Sequence, residues 1–203
     1  MFSMNSMKKR IFLRYVIATF ILISIGWSVL TIYVEIAGSS KHWTLGNASA
    51  EKTALVVFDP DPFYNLDEQI CMSFGKSLSE EGVKVLVATV AAADQFKSTD
   101  FDVVVYCANS YNWRPDWAIT GYVEGGRELR GKKCVAITLG AGSTEASQRH
   151  FENKIANAGG TLIGSYSLWL WRPNDETKME KPNVDMAISM AHDWGKQIAT
   201  KIK

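Results

Sequence analysis

The chain has no excess of charge of either sign: 22 Lys and Arg stand against 21 Asp and Glu, leaving a net +1 over 203 residues. That balance supplies no basic field for a nucleic-acid backbone and no acidic tail. Cysteine is also scarce. Cys71, Cys107 and Cys134 are an odd number without metal-ligand spacing, and Cys107 and Cys134 lie in or beside apolar runs, where a thiol behaves as a small buried hydrophobe. His42, His150 and His192 fall in three separate segments, again without ligand spacing. The Gly-x-Ser-x-Gly pattern of a nucleophile elbow is absent. Proline is sparse, yet two of the five prolines fall together in Asp59-Pro60-Asp61-Pro62.

The chain does contain one long apolar run. Lys8, Lys9, Arg10 and Arg14 precede Tyr15–Val34, 20 residues without a charge. A membrane-crossing helix needs about 20, and Trp27 and Tyr33 suit the far interface, where aromatic rings are favoured. A cleavable signal peptide is the alternative. Its apolar core is typically only about 7–15 residues, although small residues (Ala37, Gly38, Ser39, Ser40) do follow here. The reading is a retained single-pass anchor over residues 1–36 in the lipid bilayer. The basic flank places the N-terminus in the cytoplasm and the rest outside. Residues 37–52, rich in Gly, Ser, Asn and Ala, read as a tether, and residues 53–203 as one domain.

Within that domain apolar strands alternate with amphipathic helices. Thr53–Phe58 is a buried strand stopped by the paired prolines, and Ile70, Phe74 and Leu78 form the stripe of a helix that stops at Gly82. Val83–Val90 is a second strand. Val103–Tyr106 is a third, opening into the polar, aromatic loop Cys107–Pro115. A weak helix runs from Trp117 to about Glu128, diluted by glycine. Lys133–Leu139 is a fourth strand, ending in Gly140-Ala141-Gly142-Ser143, and a helix through Phe151 and Ile155 follows. Thr161–Trp171 is the last strand, where Trp169 and Trp171 are core or an aromatic patch. Val184, Ile188, Ala191, Ile198 and Ile202 line a final helix capped by Asn183. Strands buried on both faces and separated by helices predict a parallel sheet between two helical layers.

Three stretches carry a family resemblance. ALVVFDPDPFYNLDEQI is similar to a strand, phosphate loop and first helix. DFDVVVYCANSYNWRPDW is similar to a buried strand followed by Gly-Ser-Pro, any residue, Tyr and a downstream Pro. CVAITLGAGSTEASQRHFENKIANAGGTLIGSY is similar to a fourth strand, flavin-contacting loop, helix and fifth strand. Together they resemble the flavodoxin family. The resemblance implies a three-layer, doubly wound α/β fold with five parallel strands in the order 2-1-3-4-5, preceded by the transmembrane helix. It also implies FMN as the bound group, at the carboxyl ends of the strands. The contacts it implies are Tyr64 and Asn65 in the first loop; Asn109, Ser110, Tyr111, Asn112 and Trp113 in the second; and Gly140, Ala141, Gly142 and Ser143 in the third. Aromatic faces stack on an isoalloxazine, and glycine lets backbone N–H groups approach it.

The first loop departs from the pattern. Family members use Ser, Thr and Gly there, but Asp59–Asn65 has none, both prolines lack an N–H, and two aspartates repel a phosphate dianion. Ring contacts therefore have to supply most of the affinity, and riboflavin is expected to bind nearly as well as FMN. The implied role is electron transfer beside membrane redox proteins or quinones. A cofactor-free binding or assembly module and a flavin-dependent quinone reductase stay open as alternatives.

Overall fold

The computed structural model of the chain describes residues 3–125 and 129–202. It forms two compact units, Met1–Ile36 and Ala37–Lys203. The first is a single helix, α1 (Ser3–Glu35). Its stretch Lys8–Glu35 has 28 residues and contains an 18-residue window of mean hydropathy 2.1, long and apolar enough to cross a membrane. Its apolar side chains, among them Phe12, Tyr15, Phe20, Leu22 and Trp27, are exposed and leave no polar face.

The second unit runs β1 (His42–Leu45), β2 (Lys52–Phe58), α2 (Leu66–Glu80), β3 (Val83–Thr89), α3 (Val90–Ala93), β4 (Val103–Tyr111), β5 (Arg114–Pro115), α4 (Trp117–Glu124), β6 (Lys133–Gly140), α5 (Glu145–Asn157), β7 (Thr161–Trp169) and α6 (Asn183–Ile202). The sheet order is β1-β3-β2-β4-β6-β7, with β5 paired to β4. The strands β3, β2, β4, β6 and β7 are mutually parallel and, counted alone, have the order 2-1-3-4-5. Alternate residues feed two cores. Val56, Phe58, Val103 and Val105 pack with Phe74 of α2 and Ile198 of α6. Leu55, Val57, Val104 and Tyr106 pack with Ile119 of α4 and Phe151 of α5. Each fully buried side chain of this kind stabilises the fold by about 1.5–3 kcal/mol relative to exposure, and covering both faces is what parallel strands require. Cys71, Cys107 and Cys134 are all buried. Burial pushes the Cys107 thiol up and Cys134 up to about 12, the opposite of an activated thiolate.

Four details differ from the expectations. The sheet is larger than five strands, because residues 42–45 of the expected tether pair antiparallel with β3 and Arg114–Pro115 folds back on Tyr111 and Ser110. Thr89 fastens that entering segment: its Oγ1 donates to the Ser39 carbonyl at 2.8 Å and accepts from the Lys41 N–H at 3.0 Å. The helix expected over 117–128 ends at Glu124, and 126–128 lie outside the described residues. Asn183 does not cap α6. Its amide instead donates to the carbonyls of Trp169, Leu170 and Arg172 at 2.8, 3.0 and 2.8 Å, tying the end of β7 to the helix start.

Candidate functional site

The loop after β2 is closed on itself. Pro60 and Pro62 have no N–H. The Asp61 N–H donates to Asp67 Oδ2 at 2.5 Å, and the N–H groups of Phe63 and Tyr64 donate to Asp61 Oδ1 at 2.7 and 2.9 Å. From residue 60 to residue 64, then, every backbone donor is either missing or taken. The Asp61 carboxylate occupies the turn before α2, the kind of place where an anion is stabilised by a helix start. Its other oxygen accepts the Tyr111 hydroxyl at 2.5 Å.

Two more carboxylates brace the loop. Asp67 also accepts from its neighbour Glu68 N–H at 2.7 Å and from Asn109 Nδ2 at 3.1 Å, while Asp59 accepts the Gly38 N–H at 2.8 Å. Burial, with the Asp61 charge adding to it, pushes both Asp59 and Asp67 up to about 6. Burial and the Asp61 hydrogen bond likewise raise the Tyr111 phenol far above its ordinary range.

The loop after β4 is a tight hairpin. Asn112 and Trp113 have φ of 50° and 60°, and they join paired Tyr111 and Arg114 as a two-residue turn with both central residues left-handed. Asparagine tolerates that conformation, whereas a tryptophan at the second position is strained. Asp116 locks the base of the hairpin: its carboxylate accepts the N–H groups of Asn109 and Ile119, each at 2.8 Å, and so also caps α4. The Asn109 amide spends its donors on the Asp59 carbonyl and Asp67, both at 3.1 Å.

The third loop has its own packing reasons for glycine. A Cβ on Gly140 would stand 2.6 Å from Thr144 Cγ2, and one on Gly142 would stand 3.1 Å from Arg172 Cβ. The carbonyls of Gly140 and Ala141 accept N–H groups from Leu170 and Trp171 at 2.9 and 3.0 Å, extending the β6–β7 pairing past the formal strand end.

Between the three loops lies a pocket of about 190 Å³. Its walls are Leu66, Leu139, Gly140, Ala141 and Leu170, with the aromatic side chains of Tyr64, Tyr111 and Trp171, and Asp61, Asn109 and Ser110 add polar atoms. Tyr64 and Trp171 meet edge to face with ring centroids 6.4 Å apart. The Ser110 Oγ is buried and has no hydrogen-bond partner among the described residues. The hydroxyl is covered as it stands, so it meets the polar edge of a ligand only when the Ser110 side chain rotates toward the pocket.

Of the residues expected at the site, Tyr64, Asn109, Ser110, Tyr111, Gly140 and Ala141 line the pocket. Asn65, Asn112, Trp113, Gly142 and Ser143 do not. Asn65 precedes α2 without a side-chain cap bond, and Trp113 is 67% exposed. The expectations did not include Asp61, Leu66, Leu139 and Leu170 in the pocket, and they left Trp171 between core and patch. The Asp61 contact has a local signal, since an aspartate readily accepts the N–H groups two and three residues ahead.

The two ends of FMN fare differently here. The phosphate does not fit: the loop that would receive it has no free backbone donor between residues 60 and 64 and already contains a carboxylate. The ring suits an apolar slot with aromatic walls.

No protein-family model matches the chain, and no curated protein matches it in sequence. Solved structures do resemble it. A flavodoxin from the domain Archaea superposes with a TM-score of 0.55 at 14% identity, over 74% of this chain and 98% of that one. A short-chain flavodoxin associated with a non-canonical PDU bacterial microcompartment gives a TM-score of 0.56 at 18% identity, over 75% and 99%. The rubredoxin oxygen:oxidoreductase of Desulfovibrio gigas gives a TM-score of 0.57 at 11% identity, over 74% of this chain but 36% of that longer one. The globular unit thus has the flavodoxin-like fold.

Proposed function

We propose that this protein is a membrane-anchored flavodoxin-like domain that binds a flavin by its ring and takes part in electron transfer. The observation that carries this reading is the pocket itself. It lies at the carboxyl ends of β4 and β6, where sheets of this order hold ligands, with Tyr64, Tyr111 and Trp171 as aromatic walls and an unsatisfied Ser110 hydroxyl. The likeness to flavodoxins and to an oxygen reductase supports the same chemistry. When bound, a flavin supplies one- and two-electron transfer. The protein's own contribution is to enclose the ring, turn the Ser110 hydroxyl toward its polar edge on binding, and keep water from the enclosed face. Helix α1 serves as the anchor, with its basic flank in the cytoplasm, and a membrane redox protein or a quinone is the exchange partner.

The closed first loop favours a second reading, a cofactor-free module that binds a partner through the same end of the sheet. Titration of the purified full chain with riboflavin and with FMN separates the two. The flavin reading expects quenching of flavin fluorescence by both, with nearly equal affinity. It also expects a loss of about 1–3 kcal/mol when Tyr111 and Trp171 are both replaced by Ala. No quenching by either flavin at millimolar concentration removes the flavin reading and leaves the module.

A further inference from the structure

We propose that the carboxyl-end face of the globular unit rests on the lipid surface, so that the pocket opens toward the bilayer. This rests on the reading of α1 as a membrane anchor, but its main support is the distribution of side chains in the second unit alone. Among the described residues of that unit, the exposed large apolar side chains are Phe63, Tyr64, Trp113, Trp117, Trp171 and Met179. Phe63 and Tyr64 follow β2, Trp113 and Trp117 follow β4, and Trp171 and Met179 follow β7, so all six lie beyond the carboxyl ends of strands. The opposite end of the sheet is lined instead by charged groups, among them Lys52, Asp100, Asp102, Arg130 and Lys132.

Chance exposure of single apolar residues is common, but their confinement to one rim is not. Trp113 adds a separate argument. It is 67% exposed, and it has a φ of 60° in a turn position that glycine fills without strain. Backbone strain that presents a bare indole to the outside has no benefit for folding. Five of the six residues are aromatic, and Trp and Tyr in particular favour the boundary between headgroups and acyl chains.

The start of the second unit lies on the same face. Gly38 is hydrogen-bonded to Asp59 at 2.8 Å, and a Cβ on it would meet Pro60 Cδ at 2.9 Å, so the chain enters the second unit at the carboxyl end of β2. The charges flanking the rim are of both signs, with Arg172 paired to Glu145 and Lys178 paired to Asp175. The surface it suits is therefore the apolar boundary of a zwitterionic bilayer rather than an anionic headgroup layer. Since Tyr64 and Trp171 belong both to the rim and to the pocket wall, a ligand dissolved in the lipid reaches the pocket from that side.

The test uses the full chain in phosphatidylcholine vesicles, with nitroxide labels on Arg114→Cys and Met179→Cys, which leave the aromatic rim in place. Glu51→Cys, before the amino end of β2, is the reference. The three native cysteines are buried, which directs labelling to the introduced thiols. We expect collisions with oxygen to dominate over those with a nickel chelate at 114 and 179, and the reverse at 51. The difference should be insensitive to salt, since apolar contact is not screened. Release of the chain by an alkaline wash overturns the anchor reading, and this assignment with it. Retention in the vesicles, with labels at 114 and 179 as open to nickel as the one at 51, overturns the face assignment alone.

Discussion

The loops after β2 and β4 leave the same end of the same sheet, yet their hydrogen-bonding groups meet opposite fates. In the first, Asp61 turns its carboxylate back on Phe63 and Tyr64, and Asp67 takes the remaining N–H. In the second, the Ser110 hydroxyl is buried at a pocket wall with nothing to bond. On the proposed reading, a side chain that occupies the phosphate end favours a flat, weakly polar group over an anion. The fold constrains where a ligand sits, and the loop side chains decide what it is.

The largest effect expected from this contrast is on stability. Asp59 and Asp67, both in the closed region, titrate near 6, above their ordinary value of 3.8, because burial disfavours their charged forms. A carboxyl whose folded value is raised binds its proton more tightly in the folded state. The stabilisation is therefore complete below pH 4 and is lost as the pH rises through 6. Denaturant unfolding of the full chain in detergent should show stability falling by on the order of 5 kcal/mol between pH 4 and pH 7.5. Asp67→Asn should remove about half of that slope. A midpoint that rises over the same range would mean that these carboxylates are charged at no cost to the fold.

Reopening the closed loop is a sharper, smaller test. Asp61→Ser removes the internal anion, frees the N–H groups of Phe63 and Tyr64 and releases the Tyr111 hydroxyl. Affinity for FMN should rise about tenfold relative to riboflavin, the size of one charge-assisted hydrogen bond, as read by fluorescence titration of both flavins. An unchanged ratio would place the phosphate elsewhere. The smallest effect concerns the second loop. Trp113→Gly relieves a left-handed tryptophan and should stabilise the domain by about 1 kcal/mol in the same unfolding measurement. A loss of stability instead would show that the indole packs usefully.

Much of this arrangement was legible in the chain. The β-branched runs of β2, β4 and β6, the four-residue spacing of Ile70, Phe74 and Leu78, the helix stop at Gly82 and the strand end at Gly140 are local patterns, and they mark the strands and helices. Tyr64, Ser110, Tyr111 and Gly140 were expected at the site because they sit where strands of this order end. Trp113 was expected there too, but a two-residue turn is a poor guide to side-chain direction. With both central residues left-handed, it lies away from the pocket wall. Strand β1 was concealed because the polar–apolar alternation of His42-Trp43-Thr44-Leu45 runs for only four residues inside a Gly- and Ser-rich segment, and it pairs only once β3 presents an edge.

The sequence by itself determined the apolar length of α1, the two-faced burial of the parallel strands and the lack of donors at Pro60 and Pro62, since each depends only on residue type and spacing along the chain. Tertiary structure alone decided that Tyr111 reaches Asp61, fifty residues away, that Trp171 turns into the pocket wall while Gly142 packs against Arg172, and that Gly38 is held by Asp59. Those contacts join segments distant in sequence. Their partners are selected by the closure of the sheet, which no local pattern records.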